Sequence, residues 1–285
     1  MPSLKRYLDA FLDSFPRESH RFNDPVQFVH RYDDLRDREV VGLIASVLSY
    51  GNVKIILKSV ERALTILGPR PAEAVGSFDP KKDVHRVRGF YHRFNTSRDL
   101  AVLFWMIRRI LENHGSLESA FVQGLSEGDT DTGTGIGKFS ELFLASGFEQ
   151  FYSRRELKER AGVRFFFPSP VHGGACKRFN LYLRWMVRPA DGIDCGVWTK
   201  VHPRQLIIPL DTHIARISGY IGLTERKSPD WRMAMDITRS LRRLDREDPL
   251  RYDFALCHLG IAGDCPRKRD TMKCARCPIQ AVCTL

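Results

Sequence analysis

The stretch CPRKRDTMKCARCPIQAVCTL, residues 265–285, restricts the fold and function of this chain more than any other. Eight, two and five residues separate its four cysteines, which are Cys265, Cys274, Cys277 and Cys283. A C-x-x-C pair supplies two ligands from one turn, and the outer cysteines can then close a cage of four thiolates. Basic residues between them would stabilise these thiolates: Arg267, Lys268, Arg269, Lys273 and Arg276. The stretch predicts an iron–sulfur cluster or a zinc ion in a basic loop that contacts nucleic acid.

Three further cysteines, Cys176, Cys195 and Cys257, bring the total to seven, an odd number that does not suit a set of disulfides. No secretory segment opens the chain, so we expect a cytoplasmic protein in a reducing compartment, where disulfides are rare. All-cysteine zinc sites usually contain two C-x-x-C pairs, and this loop contains one. We therefore expect a [4Fe-4S] cluster, with zinc as the alternative. Cys257 shares a stripe with apolar residues, which favours a core position over a role as a fifth ligand.

The composition favours a globular protein with an anionic partner. The 285 residues suffice for one large domain or for two lobes that share a cleft, and 43% of them are hydrophobic. Lys plus Arg minus Asp plus Glu gives 45 − 34 = +11. Such a charge favours binding to nucleic acid, although a soluble basic protein without such a partner is the alternative. No apolar run approaches the roughly 20 residues of a membrane span, so we expect no membrane association.

The apolar periodicity of the first half predicts helices. Asp24 followed by Pro25 is typical of a helix start, and residues 40–48 are apolar almost without interruption, as in a buried helix. A polar elbow, Ser49 to Asn52, interrupts this pattern, and a helix capped by Asn52 then runs to Gly68. An elbow between two apolar helices lies at a surface, where it can meet a ligand. The alternative is that Asn52 is only a helix cap.

The rest of the chain also predicts helices, so we expect an all-α fold. Further helices are expected over residues 97–113, 138–157 and 228–244, and from Asp248–Pro249 onward. Residues 126–137 are rich in glycine and small polar side chains, which predicts a surface loop. No alternating pattern long enough for a strand occurs before residue 165.

The segment PSPVHGGACKRFNLYLRWMVR, residues 168–188, predicts a hairpin followed by a helix that begins near Ala175. The free amides of such a helix start, beside flexible glycines, can bind a phosphate. Lys177, Arg184 and Arg188 follow at i, i+7 and i+11, so they share one helix face. A basic face behind a glycine hairpin suits a nucleic-acid backbone, although a solvated face of an ordinary amphipathic helix is the alternative.

The segment LIIPLDTHIARISGYIGL, residues 206–223, delivers an apolar run to Asp211 just before another helix. Spacing alone makes Asp211 an N-cap, and His213 receives no catalytic role. The connection over residues 189–206 contains Trp198, which we expect to be a packed loop aromatic rather than a base-stacking residue.

The order of these motifs resembles a known superfamily. The cysteine loop resembles that of endonuclease III and the adenine glycosylases, with a longer first gap. A glycine hairpin, a lysine early in the next helix, the PLDTHIARI segment and the cysteine loop resemble the helix-hairpin-helix base-excision DNA glycosylases. The long 189–206 connection is more like the archaeal 8-oxoguanine DNA glycosylases. The segments FFFPSPVHGGACKRFNLYLRWMVR and LIIPLDTHIARI closely resemble an uncharacterised bacterial family of this superfamily, over nearly the whole chain.

This resemblance implies a function and a site. Lys177 matches the catalytic lysine and Asp211 the essential aspartate, although Ala175 stands where the hairpin pattern has a second glycine. It implies a bifunctional glycosylase and AP lyase that excises an oxidised base, an 8-oxoguanine-type purine being favoured, from double-stranded DNA, and that acts as a monomer. The expected DNA contacts are Ser49, Tyr50, Asn52, His172, Gly173, Gly174, Arg178 and Arg184.

The implied architecture is two helical lobes with a cleft between them. Residues 32–188 form one lobe, which ends in the helix-hairpin-helix, and residues 1–31 with 189–285 form the other, which carries the cluster loop. The hairpin and Asp211 face each other across the cleft. Two alternative functions remain open. One is a non-catalytic iron–sulfur protein that binds DNA or RNA on the same scaffold, and the other is a zinc-stabilised helical protein whose basic surface binds a protein.

Overall fold

The computed structural model describes residues 2–159 and 162–285, and it is mostly helical. The predicted all-α class is confirmed. The α-helices of the described residues are α1 (Pro2–Ser14), α2 (Arg17–Arg21), α3 (Leu35–Val47), α4 (Val53–Leu67), α5 (Pro71–Ser77), α6 (Ser97–His114), α7 (Leu117–Val122), α8 (Gly133–Leu144), α9 (Arg154–Lys158), α10 (Lys177–Val187), α11 (Thr212–Tyr220), α12 (Trp231–Arg242), α13 (Asp253–Ile261) and α14 (Thr271–Ala275).

Short 3-10 helices and one small β-hairpin complete the fold. The 3-10 helices span Pro25–Arg31, Phe148–Phe151, Gly162–Phe166, Pro170–His172, Pro203–Gln205 and Gln280–Val282. Strand β1 (Tyr91–His92) pairs antiparallel with β2 (Asn95–Thr96). The expectation of no strand before residue 165 needs this correction. Two-residue strands are too short to produce an alternating pattern.

Two hydrophobic cores organise the chain. The larger core contains apolar residues from Val26 to Leu206, together with Leu250 and Phe254. The smaller core joins α1 to α11, α12 and α13, and it includes Ile279 near the cysteine loop. The cores therefore divide near residues 206–207. The predicted lobe boundary at residues 188–189 stays a prediction.

The elbow between α3 and α4 forms as predicted. Residues 40–48 are all buried, and α3 ends at Val47 because the chain turns at Leu48. The side chain of Asn52 accepts a hydrogen bond from the backbone N–H of Lys54, which caps α4. Gly68 ends this helix with a φ of 77°. At the other end of the elbow, the Ser49 hydroxyl donates a hydrogen bond to the carbonyl of Ala45 at 2.7 Å, so local hydrogen bonds fix both ends.

The loop predicted over residues 126–137 is wrong in its second half, where α8 begins at Gly133. The glycines in this helix allow neighbouring side chains to pack closely against the backbone, and they do not make the segment a loop. A Cβ on Gly133 would lie 2.9 Å from the Trp231 ring, and a Cβ on Gly135 would lie 2.8 Å from the side chains of Phe121 and Leu125. The glycine content of this segment reflects tight side-chain contacts that composition does not reveal.

Other predicted helices are shorter than expected. The segment that begins at Pro25 is a 3-10 helix, capped by Asp24 as predicted. The helix predicted over residues 138–157 ends at Leu144 and is followed by short turns. The helix predicted from Asp248 begins only at Asp253. The helices predicted over 97–113 and 228–244 are confirmed as α6 and α12.

The 189–206 connection is irregular apart from one 3-10 turn. Trp198 is buried in it, and its Nε1–H donates a hydrogen bond to Glu39 Oε1 at 2.7 Å. The prediction of a packed loop aromatic is confirmed. Among the described residues, no helix has both the length and the apolar character that crossing a membrane requires.

Candidate active site and cysteine loop

A cavity of about 540 Å³ lies where helices of the two cores meet. The elbow residues 49–52, one face of α10, the start of α11 and one face of α13 line it. The predicted site residues Ser49, Tyr50, Asn52, Lys177 and Asp211 all line this cavity. Segments that are far apart in sequence therefore converge on one concave surface.

Asp211 uses its two carboxylate oxygens differently. Oδ1 accepts hydrogen bonds from the backbone N–H groups of His213 and Ile214, both at 2.8 Å, so Asp211 caps α11 as predicted. Oδ2 lies 3.9 Å from Lys177 Nζ and accepts a hydrogen bond from the thiol of Cys257 at 3.4 Å. The cap fixes the carboxylate through one oxygen and leaves the other facing Lys177.

Lys177 is the first residue of α10, two residues later than the predicted helix start. Cys176 precedes it in a left-handed conformation with a φ of 48°, and this buried thiol donates a hydrogen bond to the carbonyl of Gly174. Burial raises the pKa of Cys176 to about 12, so this thiol stays protonated. The left-handed residue of this turn thus lies immediately before Lys177, one position after Ala175.

The hairpin before α10 is exposed at its tip. His172, Gly173 and Gly174 are exposed, and the backbone N–H of Trp231 donates to the carbonyl of Gly173 at 3.0 Å. This contact attaches the hairpin to the start of α12. A 3-10 helix, Gly162–Phe166, precedes the hairpin, where a helix-hairpin-helix would have an α-helix.

Arg178, one of the predicted DNA contacts, is buried at 8% exposure, and that role stays a prediction. Its guanidinium donates hydrogen bonds to the carbonyls of Val47, at 3.1 Å, and Phe165, and it lies 4.1 Å from the centre of the Phe165 ring. Burial lowers the pKa of Arg178 to about 10. The side chain fastens the end of α3 to the segment before the hairpin.

Arg184 and Arg188 are also buried, so the predicted basic surface stripe is wrong. Arg184 pairs with Asp194, with 3.1 Å between Nε and Oδ1, and with Asp253. Arg188 pairs with Asp194 and with Asp248, the latter at 2.8 Å. These two arginines therefore pair with carboxylates of the interior, and the role of Arg184, which also lines the cavity, as a DNA contact stays a prediction.

Asp253 forms part of the cavity wall beside Arg184. Burial raises the pKa of its carboxyl group to about 6, although the Arg184 guanidinium opposes this shift. His258 lies one turn further along α13, with its ring centre 4.0 Å from that of Phe254, at an angle of 36°, and its Nε2 at 3.7 Å from Asp24 Oδ2. Burial lowers the pKa of His258. The wall thus carries polar groups that sequence reasoning did not assign to the site.

The β1–β2 hairpin, which packs against the elbow, is a further feature that sequence reasoning missed. Gly51, with a φ of 97°, has no side chain, and a Cβ there would lie 2.9 Å from the Arg93 guanidinium. Phe94 is 50% exposed and packs against Phe165 at 4.5 Å and Tyr50 at 5.6 Å between ring centres. The sequence signal was the interleaving of aromatic and basic residues in YHRFN, residues 91–95.

Tyr50 connects the elbow to this hairpin. Its hydroxyl donates hydrogen bonds to the carbonyl of His92, at 3.1 Å, and to Asn95 Oδ1. Burial raises the pKa of the Tyr50 phenol, so this hydroxyl remains a donor. These hydrogen bonds therefore join the elbow to the β1–β2 hairpin.

The cysteine loop contains its own small cavity. The four cysteines of the loop line a cavity of about 100 Å³, with Arg269 beside them. Helix α14 carries Cys274, and Arg216 of α11 donates to the carbonyl of Cys265 at 2.9 Å. Within the described residues, no three or more His, Cys, Asp or Glu side chains are grouped closely enough to hold a metal ion. The four cysteines nevertheless border one small cavity, and four cysteine thiolates are the type and number of ligands that a multi-iron cluster takes.

Comparison with known proteins assigns a family to most of the chain. The family described as "Protein of unknown function (DUF2400)" matches residues 24–262, which include the elbow, Lys177, Asp211 and Cys257. No curated protein and no solved structure matches the chain.

Proposed function

We propose that this chain, which belongs to the DUF2400 family, is a DNA N-glycosylase with AP lyase activity. The observation that carries the proposal is the position of Lys177 Nζ, 3.9 Å from Asp211 Oδ2 in a cavity of about 540 Å³. An amine beside a carboxylate is the arrangement that covalent base excision requires. The resemblance of the surrounding motifs to the helix-hairpin-helix glycosylases supports the same function.

The chemistry follows from these two groups. The Asp211 carboxylate stays ionised while the glycosidic bond breaks, and its negative charge stabilises the positive charge that develops on the deoxyribose. It accepts a proton from the Lys177 nitrogen only as that nitrogen bonds to C1′. The neutral amine attacks C1′, the bond from C1′ to the base breaks, and the base leaves with a proton. The C1′–O4′ bond of the sugar ring then breaks and O4′ takes up a proton, which leaves a Schiff base between Lys177 and C1′ and makes a C2′ proton acidic. Loss of that proton expels the 3′ phosphate and cleaves the strand.

The cavity suits a nucleotide that has left the duplex. A group inside a concave site cannot reach a stacked base, so the target nucleotide must be extruded. A volume of about 540 Å³ lies within the range of roughly 300–1,000 Å³ that is typical of small-ligand sites. We propose that the elbow residues Ser49, Tyr50 and Asn52 and the exposed hairpin at His172, Gly173 and Gly174 contact the DNA around it.

Charge supports DNA as the partner. The chain carries a net charge of +11, although Arg178, Arg184 and Arg188 are buried. The exposed cations near the cavity therefore have to come from other segments, and Arg93 at the hairpin is one of them. We propose that a monomer binds double-stranded DNA that contains an oxidised base. The long 189–206 connection favours a purine of the 8-oxoguanine type, by resemblance.

We propose that Cys265, Cys274, Cys277 and Cys283 hold a [4Fe-4S] cluster. One zinc ion would draw its four sulfurs into a single tetrahedron, whereas a cluster places several irons between more widely spaced thiolates. A cluster would neutralise the thiolates and hold the basic loop in place, and base excision needs no redox step from it. Iron and sulfide analysis of anaerobically purified protein tests this. Stoichiometric zinc would contradict it.

Borohydride trapping on defined duplexes tests the proposed function. An abasic-site duplex tests the lyase step without any base, and duplexes with one lesion each test base release. We expect a covalent adduct with the abasic duplex and with at least one oxidised base, together with strand nicking. Tight DNA binding with no adduct on any duplex would contradict the proposed enzymatic activity. It would favour the alternative, a protein that binds DNA without catalysis.

A further inference from the structure

One face of α13 lines the proposed active site. Asp253, Phe254, Cys257, His258 and Ile261 all border the large cavity. Sequence periodicity predicted a core position for Cys257, and this is only partly right. The side chain of Cys257 is partly exposed and its thiol faces Asp211. A helix that contributes to the core therefore also reaches the reacting groups.

The thiol of Cys257 occupies a defined place in the hydrogen bonding of Asp211. Oδ1 already accepts two backbone N–H groups. Oδ2 lies 3.4 Å from Cys257 Sγ, within hydrogen-bond distance for sulfur, whereas Lys177 Nζ lies at 3.9 Å. Among the described residues, Cys257 is the one side-chain donor that hydrogen-bonds to Oδ2.

We infer that Cys257 is a positioning residue for the proposed reaction, because its S–H group holds the free oxygen of Asp211 toward Lys177. This inference rests on the proposed function. Without the donor, Oδ2 would keep its charge but would lose the contact that fixes its direction. A carboxylate that is held from both sides loses less entropy when it receives the lysine proton.

The surroundings keep this thiol in the donor form. Burial, followed by the charges of Asp211 and Asp253, raises the pKa of Cys257 well above its usual range, while Lys177 opposes the shift and Asp24 adds to it. A protonated thiol is a weak hydrogen-bond donor and a poor nucleophile. Cys257 therefore orients Asp211 without competing with Lys177 for the sugar.

Two substitutions separate the donor from the side-chain volume. Cys257→Val has a similar volume and no donor, whereas Cys257→Ser keeps a donor. We expect the single-turnover rate of trapping on abasic DNA to fall about tenfold in Cys257→Val and to stay within about threefold of the wild type in Cys257→Ser, since a hydrogen bond to a charged group is of this size. The dissociation constant for DNA should not change in either variant.

The Asp211→Asn background shows whether the effect passes through Asp211. A positioning role predicts that Cys257→Val adds no further loss there, whereas a packing defect would lower the rate equally in both backgrounds. A wild-type rate in Cys257→Val, or an equal loss in both backgrounds, overturns the inference while the proposed function stands. A wild-type protein that forms no adduct at all overturns the proposed function itself, and this inference with it.

Discussion

Helix α10 carries two cationic regions that differ in their surroundings. At its start, Lys177 is 34% exposed and lies 3.9 Å from an aspartate that is 15% exposed. Two turns later, Arg184 is 3% exposed and pairs with Asp194 and Asp253, which are 0% and 2% exposed. The same pairing of a cation with a carboxylate thus occurs once at a cavity and once in the interior.

The difference separates a reactive pair from a structural one. Loss of Arg184 would leave the buried Asp253 unpaired and would remove one of the two arginines paired with Asp194, so the Arg184–Asp253 pair holds α10 to α13. The Lys177 pair is looser and partly hydrated, so it contributes little to folding and remains free to exchange a proton. Sequence spacing places Lys177 and Arg184 on one helix face. The difference in their burial is what separates a reactive side chain from a structural one.

The largest effect should follow from Lys177→Gln. Removing a nucleophile abolishes covalent chemistry, so we expect the trapping rate to fall at least about ten-thousandfold. The free energy of unfolding should change by less than about 1 kcal/mol, because the lost ion pair is partly exposed. Borohydride trapping and urea denaturation measure the two quantities. An undiminished adduct would show that another amine is the nucleophile.

A glutamine substitution at Arg184, two turns further along α10, should lower the stability of the protein. Arg184→Gln leaves Asp253 without a cation and removes one of the two buried arginines paired with Asp194, so we expect the free energy of unfolding to fall by about 3–5 kcal/mol. Arg239→Gln on α12 is the matched control, since Arg239 is largely exposed and should change stability by less than about 0.5 kcal/mol. Equal stabilities of the two variants would contradict a structural role for Arg184.

Asp211→Asn should separate the role of Asp211 as the N-cap of α11 from its proposed role as a proton acceptor. The asparagine side chain can still accept the N–H groups of His213 and Ile214, so the α11 cap and the stability should be nearly unchanged. The uncharged amide cannot accept the proton of Lys177, so we expect trapping to slow by about 10²–10³-fold. A loss of stability with normal trapping would mean that Asp211 is only a cap.

The smallest effect concerns His258, which lies beside the buried arginine network. Burial lowers its folded-state pKa below the ordinary value of about 6.5, with Arg184 acting in the same direction and Asp24 opposing it. The unfolded chain therefore takes up a proton first, so stability is complete above about pH 6.5 and decreases as the pH falls. Urea denaturation at pH 7 and pH 5.5 should show a smaller decrease in His258→Gln than in the wild type.

Features governed by local rules could be predicted from the sequence. Asn52 and Asp211 are caps because a short polar side chain before an apolar helix satisfies nearby amides. The ends of α4 and α6 follow from Gly68 and Gly115 for a similar local reason. The meeting of Lys177 with Asp211 followed from motif resemblance and not from spacing.

Features that depend on distant partners could not be predicted in this way. The periodicity of α10 predicted which helix face carries Arg184. It could not predict that this face is buried, because the partner Asp253 lies 69 positions away in the sequence. Gly133 and Gly135 suggested a loop, but both lie in α8. They are glycines because the side chains of Trp231 and Phe121 leave no room for a Cβ there. In both cases the deciding atom belongs to another part of the chain.

The composition of the smaller core has a consequence for biosynthesis. This core joins residues 4–12 to residues 207–259 and Ile279, so it can close only after residue 279 has left the ribosome. The larger core, which ends near residue 206 apart from Leu250 and Phe254, can begin to condense earlier, with Lys177 already in place. The part of the larger core that surrounds Lys177 can therefore form before the smaller core, which includes the neighbours of Asp211, has closed.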